Sequence, residues 1–149
     1  GKLFGYQGRA LDKNSKLRYI TTILDDRYAK LFGLDSLDFD KTIYITEGPF
    51  DSLFLSNAIA MCGSDVFLEN SIYKDRVFIL DNEPRNLQIV QKYEKLILSG
   101  EKIVIWPSNI TQKDINDMVI SGINPQEIID NNTYQGLQAK IKFTIWKKV

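Results

Sequence analysis

The stretch Thr42-Ile43-Tyr44-Ile45-Thr46-Glu47-Gly48-Pro49 decides the fold class of this chain. Its first five residues are β-branched or aromatic, which is typical of a strand buried on both faces of a sheet. Gly48 and Pro49 then turn the chain, and proline suits the first turn of a helix, where its missing N–H loses no helical hydrogen bond. The stretch therefore predicts a strand that ends at Glu47 and leads at once into a short helix.

Two similar runs follow at residues 76–80 and 102–106, and a helical pattern lies between them. This pattern ends at Gly100, a good helix C-cap. Its mostly apolar stripe consists of Leu87, Val90, Tyr93, Glu94 and Ile97. A strand, a helix and a second strand in this order predict a βαβ crossover, and residues 58–61 add a short strand. We therefore expect an α/β fold with a mostly parallel central sheet flanked by helices.

The segments on either side of this unit carry weaker patterns. Residues 3–11 and 17–22, separated by a polar turn, predict a small antiparallel hairpin at the N-terminal end. Residues 26–32 predict a short helix ended by Gly33, and residues 35–40 a polar connection, which places a subdomain boundary near Asp40. Residues 139–146 alternate apolar and polar side chains, which predicts an edge strand.

Composition excludes several kinds of chemistry. The 149 residues contain one cysteine and no histidine, so the chain cannot build a four-ligand zinc site, a disulfide or a histidine general base. A hydrophobic content of 44% suffices for one core. The absence of a long apolar run and of a signal peptide leads us to expect a cytoplasmic protein that does not contact membranes.

Charge is distributed unevenly along the chain, although the net charge is zero. Residues 1–30 contain seven basic and three acidic side chains, whereas residues 31–60 contain one basic and five acidic ones. A basic arm before an acidic body suits a site at which basic side chains and a metal ion share a polyphosphate.

Acidic residues follow the predicted strands. Glu47 ends the first, Asp81 and Glu83 follow the second, and Asp114 lies in the loop region after the third. Ligands bind at the carboxyl ends of parallel strands, and Mg²⁺ prefers oxygen ligands and substrate phosphates, so these four acids predict a magnesium site. The alternatives are structural, since Asp81 could cap a helix, Glu47 could be a solvated strand end and Asp114 could complement a helix dipole.

These residues also resemble a known family. The stretch Tyr44-Ile45-Thr46-Glu47-Gly48-Pro49-Phe50-Asp51-Ser52-Leu53 and the stretch Phe78-Ile79-Leu80-Asp81-Asn82-Glu83 are similar to the two signatures of the Toprim fold, shared by bacterial-type primases, topoisomerases and certain nucleases. In Toprim domains a glutamate after the first strand and an Asp-x-Asp after a later one handle magnesium. The resemblance implies that Glu47, Asp81 and Glu83 are catalytic residues and metal ligands.

Three further matches resemble primases of the bacterial and phage type. Phe4-Gly5-Tyr6-Gln7-Gly8-Arg9-Ala10 with Leu17-Arg18-Tyr19 is similar to the end of the primase basic subdomain, and Lys30-Leu31-Phe32-Gly33-Leu34 to the segment that leads into the primase Toprim. Lys113-Asp114-Ile115-Asn116-Asp117 is similar to a Lys-Asp-x-Asn-Glu motif of phage primases. The resemblance runs from about residue 4 to about residue 122.

The resemblance implies a division into residues 1–40, a remnant of the basic subdomain with its connection, and residues 41–149, a Toprim catalytic domain. The implied activity is synthesis of short RNA primers on single-stranded DNA from ribonucleoside triphosphates with Mg²⁺ or Mn²⁺, beside a replicative helicase and, for a phage protein, in the host cytoplasm. Asp114 would join the metal ligands. Arg9, Arg18, Arg85 and Lys113 would bind nucleotide or nucleic acid.

Two departures leave alternatives open. The Asp-x-Asp motif is Asp81-Asn82-Glu83 here, and neither the zinc-binding template reader nor a full basic subdomain fits in the sequence, which leads us to expect a fragment of a larger protein. No phosphate-binding loop of the Gly-x-x-x-x-Gly-Lys type is present, so no helicase motor is expected. A Toprim nuclease with the same acids and a non-catalytic nucleic-acid-binding Toprim module are the alternatives.

Overall fold

The computed structural model describes residues 1–62 and 73–149 and contains two sheets. Strands β1 and β2 form the first, and β3 to β7 form the second with five helices around it. The strands are β1 (Gly5–Arg9), β2 (Tyr19–Ile23), β3 (Ile43–Thr46), β4 (Ala58–Ala60), β5 (Arg76–Ile79), β6 (Lys102–Val104) and β7 (Thr133–Tyr134). The helices are α1 (Pro49–Ser52), α2 (Leu87–Leu98), α3 (Ile115–Ile120), α4 (Pro125–Asn131) and α5 (Gly136–Trp146), and one 3₁₀ turn covers Leu34–Ser36.

The five-stranded sheet has the order β4-β3-β5-β6-β7. The pairs β3–β4, β3–β5 and β5–β6 are parallel, and only β7 runs antiparallel, at one edge. Ile43, Ile45, Ile59 and Ile103 are at most 1% exposed, because helices cover the central strands. The predicted α/β fold with a mostly parallel sheet is confirmed.

Helix α2 forms the predicted crossover between β5 and β6. It begins at Asn86, whose side chain accepts a hydrogen bond from the Gln88 N–H, and ends before Gly100, whose φ of 78° suits glycine. Its buried residues are Ile89, Val90, Tyr93, Leu96 and Ile97. Leu87, which the pattern placed on the apolar stripe, is 59% exposed. The crossover fixes β5 and β6 as parallel neighbours, so that their carboxyl ends face the same side.

The predicted N-terminal hairpin is also confirmed, with Gly5 opposite Ile23 and Arg9 opposite Tyr19. The predicted helix at residues 26–32 is wrong. This segment turns and then forms a single bridge in which the Phe32 N–H donates to the Ala60 carbonyl at 2.9 Å and the Ala60 N–H donates back at 3.1 Å. Pairing with the free edge of β4 takes the backbone group of Phe32 that a helix would have used.

The predicted edge strand at residues 139–146 is wrong as well, because these residues lie in helix α5. Ala139, Phe143 and Trp146 are buried at helical spacing against α2, whereas Ile141 and Ile145 are 54% and 68% exposed. The alternation therefore marked residues that do not share a face. The antiparallel edge position belongs to the two-residue strand β7. Among the residues that the structure describes, no helix is long and apolar enough to cross a membrane.

Candidate active site

The carboxyl ends of β3 and β5 bring the first predicted acids together. Thr46 pairs with Ile79 in parallel register, so Glu47 follows one strand beside the point where Asp81 follows the other. Neighbouring strands are about 4.8 Å apart, which places the two side chains within strong electrostatic range. The sequence prediction that these acids share one edge is met by the register.

Asp81 shows the clearest electrostatic signature of a shared acidic site. Burial raises its pKa from 3.8 to about 7, and the negative charges of Glu47 and Asp51 raise it further, with Lys113 opposing. The charged form is unfavourable because water is partly excluded and like charges lie nearby. Such a carboxylate gains from a cation brought to the same place.

Asp51 is a member of this site that the sequence analysis did not single out. It lies in α1, four residues after Glu47, and its carboxylate accepts a hydrogen bond of 3.0 Å from the Asn116 N–H. Burial raises its pKa to about 6, against that hydrogen bond, and the charges of Asp114 and Glu47 add to the increase. The signal in the sequence was the spacing of four residues across a helix start, which turns Asp51 back toward Glu47.

Glu83 behaves differently from Asp81, because it has partners. Asn86 donates a hydrogen bond of 2.8 Å to one carboxylate oxygen, and the Lys113 ammonium lies 2.9 Å from the other. These two interactions, Asn86 first, lower the pKa of Glu83. Glu83 is therefore an ionised acid at neutral pH, held on the rim of the site.

Two lysines supply positive charge among these acids. Lys113 lies 2.9 Å from Glu83 and 3.9 Å from Asp81, and the hydrogen bond to Glu83 raises its pKa. Lys92, on α2, lies 3.3 Å from Glu47 and was missed in the sequence, where it looks like an ordinary solvated helix residue. Both ammonium groups are about half exposed and can turn toward an anionic ligand.

Asp114 combines a structural and an electrostatic role. It is the N-cap of α3, and its side chain accepts a hydrogen bond of 2.8 Å from the Asp117 N–H. This is the structural alternative considered for Asp114. Its charge also raises the pKa values of Asp51 and Asp81, so the cap residue lies close enough to act on the same site.

The predicted basic contacts are placed in three ways. The Arg9 guanidinium packs 5.6 Å from the Tyr19 ring centroid and 5.0 Å from that of Phe50, which joins the hairpin to α1 beside Glu47. Arg18 and Arg85 are exposed on the surface. Only Lys113 is in direct contact with the acids, and the binding roles of all four stay predictions.

The donor set fits a hard divalent cation in kind, since it consists of carboxylates whose mutual repulsion a cation would relieve. Within residues 1–62 and 73–149, however, no three acidic, cysteine or histidine side chains converge closely enough to ligate one ion. In this arrangement the lysines, rather than a shared cation, balance Glu47 and Glu83.

Comparison with known proteins gives the relationship. No family model matches the chain. The DNA primase of Enterobacteria phage T4 is 39% identical over 155 residues, an alignment that covers all of this chain and 45% of the phage protein. The chain thus spans about half the length of that relative.

A solved structure shows a similar fold. It is the Aquifex aeolicus primase, described as its zinc-binding and RNA polymerase domains, with a TM-score of 0.64 and 18% identity. The match covers 95% of this chain and 40% of the Aquifex chain. Since the likeness in shape agrees with the sequence identity to the phage protein, this chain is homologous over its entire length to a segment of a DNA primase.

Proposed function

We propose that this chain carries the nucleotidyl-transfer site of a primase, an enzyme that makes short RNA primers on single-stranded DNA. The observation that carries the proposal is the convergence of Glu47, Asp51 and Asp81 at one sheet edge in a chain homologous to a DNA primase. We also propose the Toprim assignment and the division into residues 1–40 and 41–149, which the separate hairpin and five-stranded sheet support.

In this proposal Glu47, Asp81, Glu83 and Asp114 hold Mg²⁺, which Mn²⁺ can replace, and Asp51 adds charge beside them. The ion would neutralise the triphosphate of the incoming nucleotide. In the reaction the 3′-oxygen of the primer attacks the α-phosphorus, the bond to the β-phosphate oxygen breaks and pyrophosphate leaves.

The basic residues of the chain would then bind the anionic substrates. Lys113 lies at the rim of the acidic group, 2.9 Å from Glu83, where an ammonium can move from a carboxylate to a phosphate. Arg9 stands between two aromatic rings at the junction of the hairpin and α1. We propose that Arg9, with the exposed Arg18 and Arg85, contacts the template backbone or the nucleotide.

One observation favours a second candidate, a non-catalytic module that binds nucleic acid or a replication partner such as a helicase. In the part of the chain that the structure describes, no three acids converge on one ion, and Lys92 and Lys113 pair with Glu47 and Glu83. A degenerate site of this kind would bind divalent cations weakly and leave the basic surface as the functional part.

Primer synthesis by the full-length protein tests the proposal. The assay uses single-stranded DNA, ribonucleotides and Mg²⁺, and compares the wild type with Glu47→Ala and Asp81→Ala. Asp75→Ala is the matched control, because Asp75 pairs with Lys102 at 2.8 Å at the opposite end of the strands.

Loss of primers in both site variants, with folding and the control intact, is the expected result. Metal-dependent degradation of the template without primers would instead identify a nuclease with the same acids. Neither activity, together with retained DNA binding, would identify the binding module.

A further inference from the structure

Asn82 lies between Asp81 and Glu83, but its side chain makes contacts unlike theirs. Its Nδ2 group donates hydrogen bonds of 2.9 Å to the Ile110 carbonyl and 3.0 Å to the Gln112 carbonyl. Its backbone N–H donates to the Lys113 carbonyl at 2.6 Å. The residue therefore ties the acidic turn at residues 81–83 to the segment at residues 110–113, which leads into Asp114.

The orientation of this carboxamide is determined by Trp146. The indole Nε1–H of Trp146 donates a hydrogen bond of 3.0 Å to Asn82 Oδ1. In the reversed orientation Oδ1 would face two carbonyl oxygens, and the amide hydrogens would face the indole N–H. Only one orientation satisfies all these groups, and a buried donor without an acceptor is costly.

Trp146 is itself held rigidly. It is 8% exposed, and its ring centroid lies 4.4 Å from that of Tyr93 and 6.2 Å from that of Phe143. Just beyond it, the Lys148 N–H donates to the Pro84 carbonyl at 2.8 Å, a second link between the end of α5 and the acidic turn. The end of α5 therefore supports residues 81–84 from the side of α2.

We propose that Asn82 and Trp146 are positioning residues of the acidic site. Through the Trp146–Asn82 hydrogen bond, α5 holds the 81–83 turn against the 110–113 segment and so determines the separation of Asp81 from Asp114. The same contact sets the distance between Lys113 and Glu83. This inference rests on the proposed function, since it assigns these residues to support of the same cation site.

Trp146→Phe tests the contact, because phenylalanine keeps an aromatic ring against Tyr93 and removes the N–H donor. Asn82→Ala is the second variant and removes all three side-chain hydrogen bonds. Asn57→Ala is the matched control: Asn57 donates to the Asp38 and Thr42 carbonyls at 2.9 Å each and accepts from the Asp38 N–H at 2.8 Å, at the opposite end of the strands. Its positive φ of 51° makes alanine there additionally strained, so the control is stringent.

Two readouts separate positioning from general stability. Hydrogen exchange at the Asn82 amide, in the absence of metal, reports whether the turn stays bound to Lys113, and we expect roughly fivefold faster exchange in Trp146→Phe. Calorimetric titration with Mn²⁺ reports the site itself, and we expect affinity weakened on the order of tenfold in both variants, as is typical when supporting groups of a metal site are removed. Asn57→Ala should leave both readouts unchanged.

The outcomes distinguish this inference from the proposed function. If the wild type binds Mn²⁺ and Asp81→Ala does not, while Trp146→Phe and Asn82→Ala bind it as the wild type does, the positioning role is overturned and the metal site stands. If the wild type itself does not bind Mn²⁺, the metal site is rejected and the positioning role with it. Equal loss of affinity in Asn57→Ala would show a general stability effect and would also overturn the inference.

Discussion

Replacing Asp81 with asparagine should stabilise the fold at neutral and alkaline pH in the absence of divalent cations. Asparagine keeps nearly the same shape but carries no charge, so the repulsion that Glu47 and Asp51 exert on Asp81 disappears. Little is lost in exchange, because the Lys113 ammonium lies 3.9 Å from Asp81 and keeps its closer contact with Glu83 at 2.9 Å.

The sign and size follow from proton linkage. The pKa of Asp81 is about 7 in the folded protein, against an ordinary value of 3.8 that applies to the unfolded chain. Between these values the folded state binds more protons, so the stability of the wild type falls as pH rises from about 4 to about 7 and is constant above that. A shift of this size corresponds to at most about 4 kcal/mol, and the 22% exposure of the side chain lets water screen part of it, so we expect about 2 to 3 kcal/mol.

Urea denaturation of the wild type and Asp81→Asn, at about pH 4.5 and about pH 8 with a chelator, measures this difference. The variant should gain stability at the higher pH and little at the lower. Asp75→Asn is the control with the opposite sign: hydrogen bonds from Lys102 and then Thr42 lower the pKa of Asp75, so its stabilising effect is present above the unfolded pKa and is lost as pH falls through the folded value. Equal or lower stability of Asp81→Asn at about pH 8 would refute the reasoning.

Three more outcomes are expected. Mg²⁺ at ten times its dissociation constant should stabilise the wild type by about 1.4 kcal/mol and leave Asp81→Ala unchanged, as thermal unfolding with Ca²⁺-free buffers would show. Tyr93→Phe should stabilise by about 1 kcal/mol in urea unfolding, because the fully buried Tyr93 hydroxyl has no hydrogen-bond partner among the described residues; a loss of stability would show a partner. Glu101→Gln should destabilise by about 1 to 3 kcal/mol at unchanged m-value, since it disrupts a charged pair with Arg76 in which the side chains are only 15% and 16% exposed; no loss would mean that the pair only offsets its own desolvation.

Local pattern was sufficient where one physical requirement dominates. The apolar runs at residues 42–46, 76–80 and 102–106 have no solution other than a buried sheet, and the helical stripe ending at Gly100 could only cross over it. Because parallel strands end at one edge, the sequence alone placed Glu47 and Asp81 side by side, as the register of β3 and β5 shows.

Local pattern failed where two periods competed or where the partner was distant in the chain. Residues 139–146 alternate in polarity, yet Ala139, Phe143 and Trp146 also repeat at helical spacing, and packing against Tyr93 selected the helix. Residues 26–32 have helix-forming composition, but the open edge of β4 captured Phe32 through its backbone.

The sequence by itself determined the fold class and the acids that follow the strands, because hydrophobic periodicity and the direction of parallel strands are properties of the chain. Tertiary structure alone decided that Asp51 joins them, that Lys92 and Lys113 balance Glu47 and Glu83, and that Trp146 reaches Asn82. These contacts join residues up to 64 positions apart. Burial and charge interactions depend on which distant groups exclude water from a side chain, and that is established only when the layers pack.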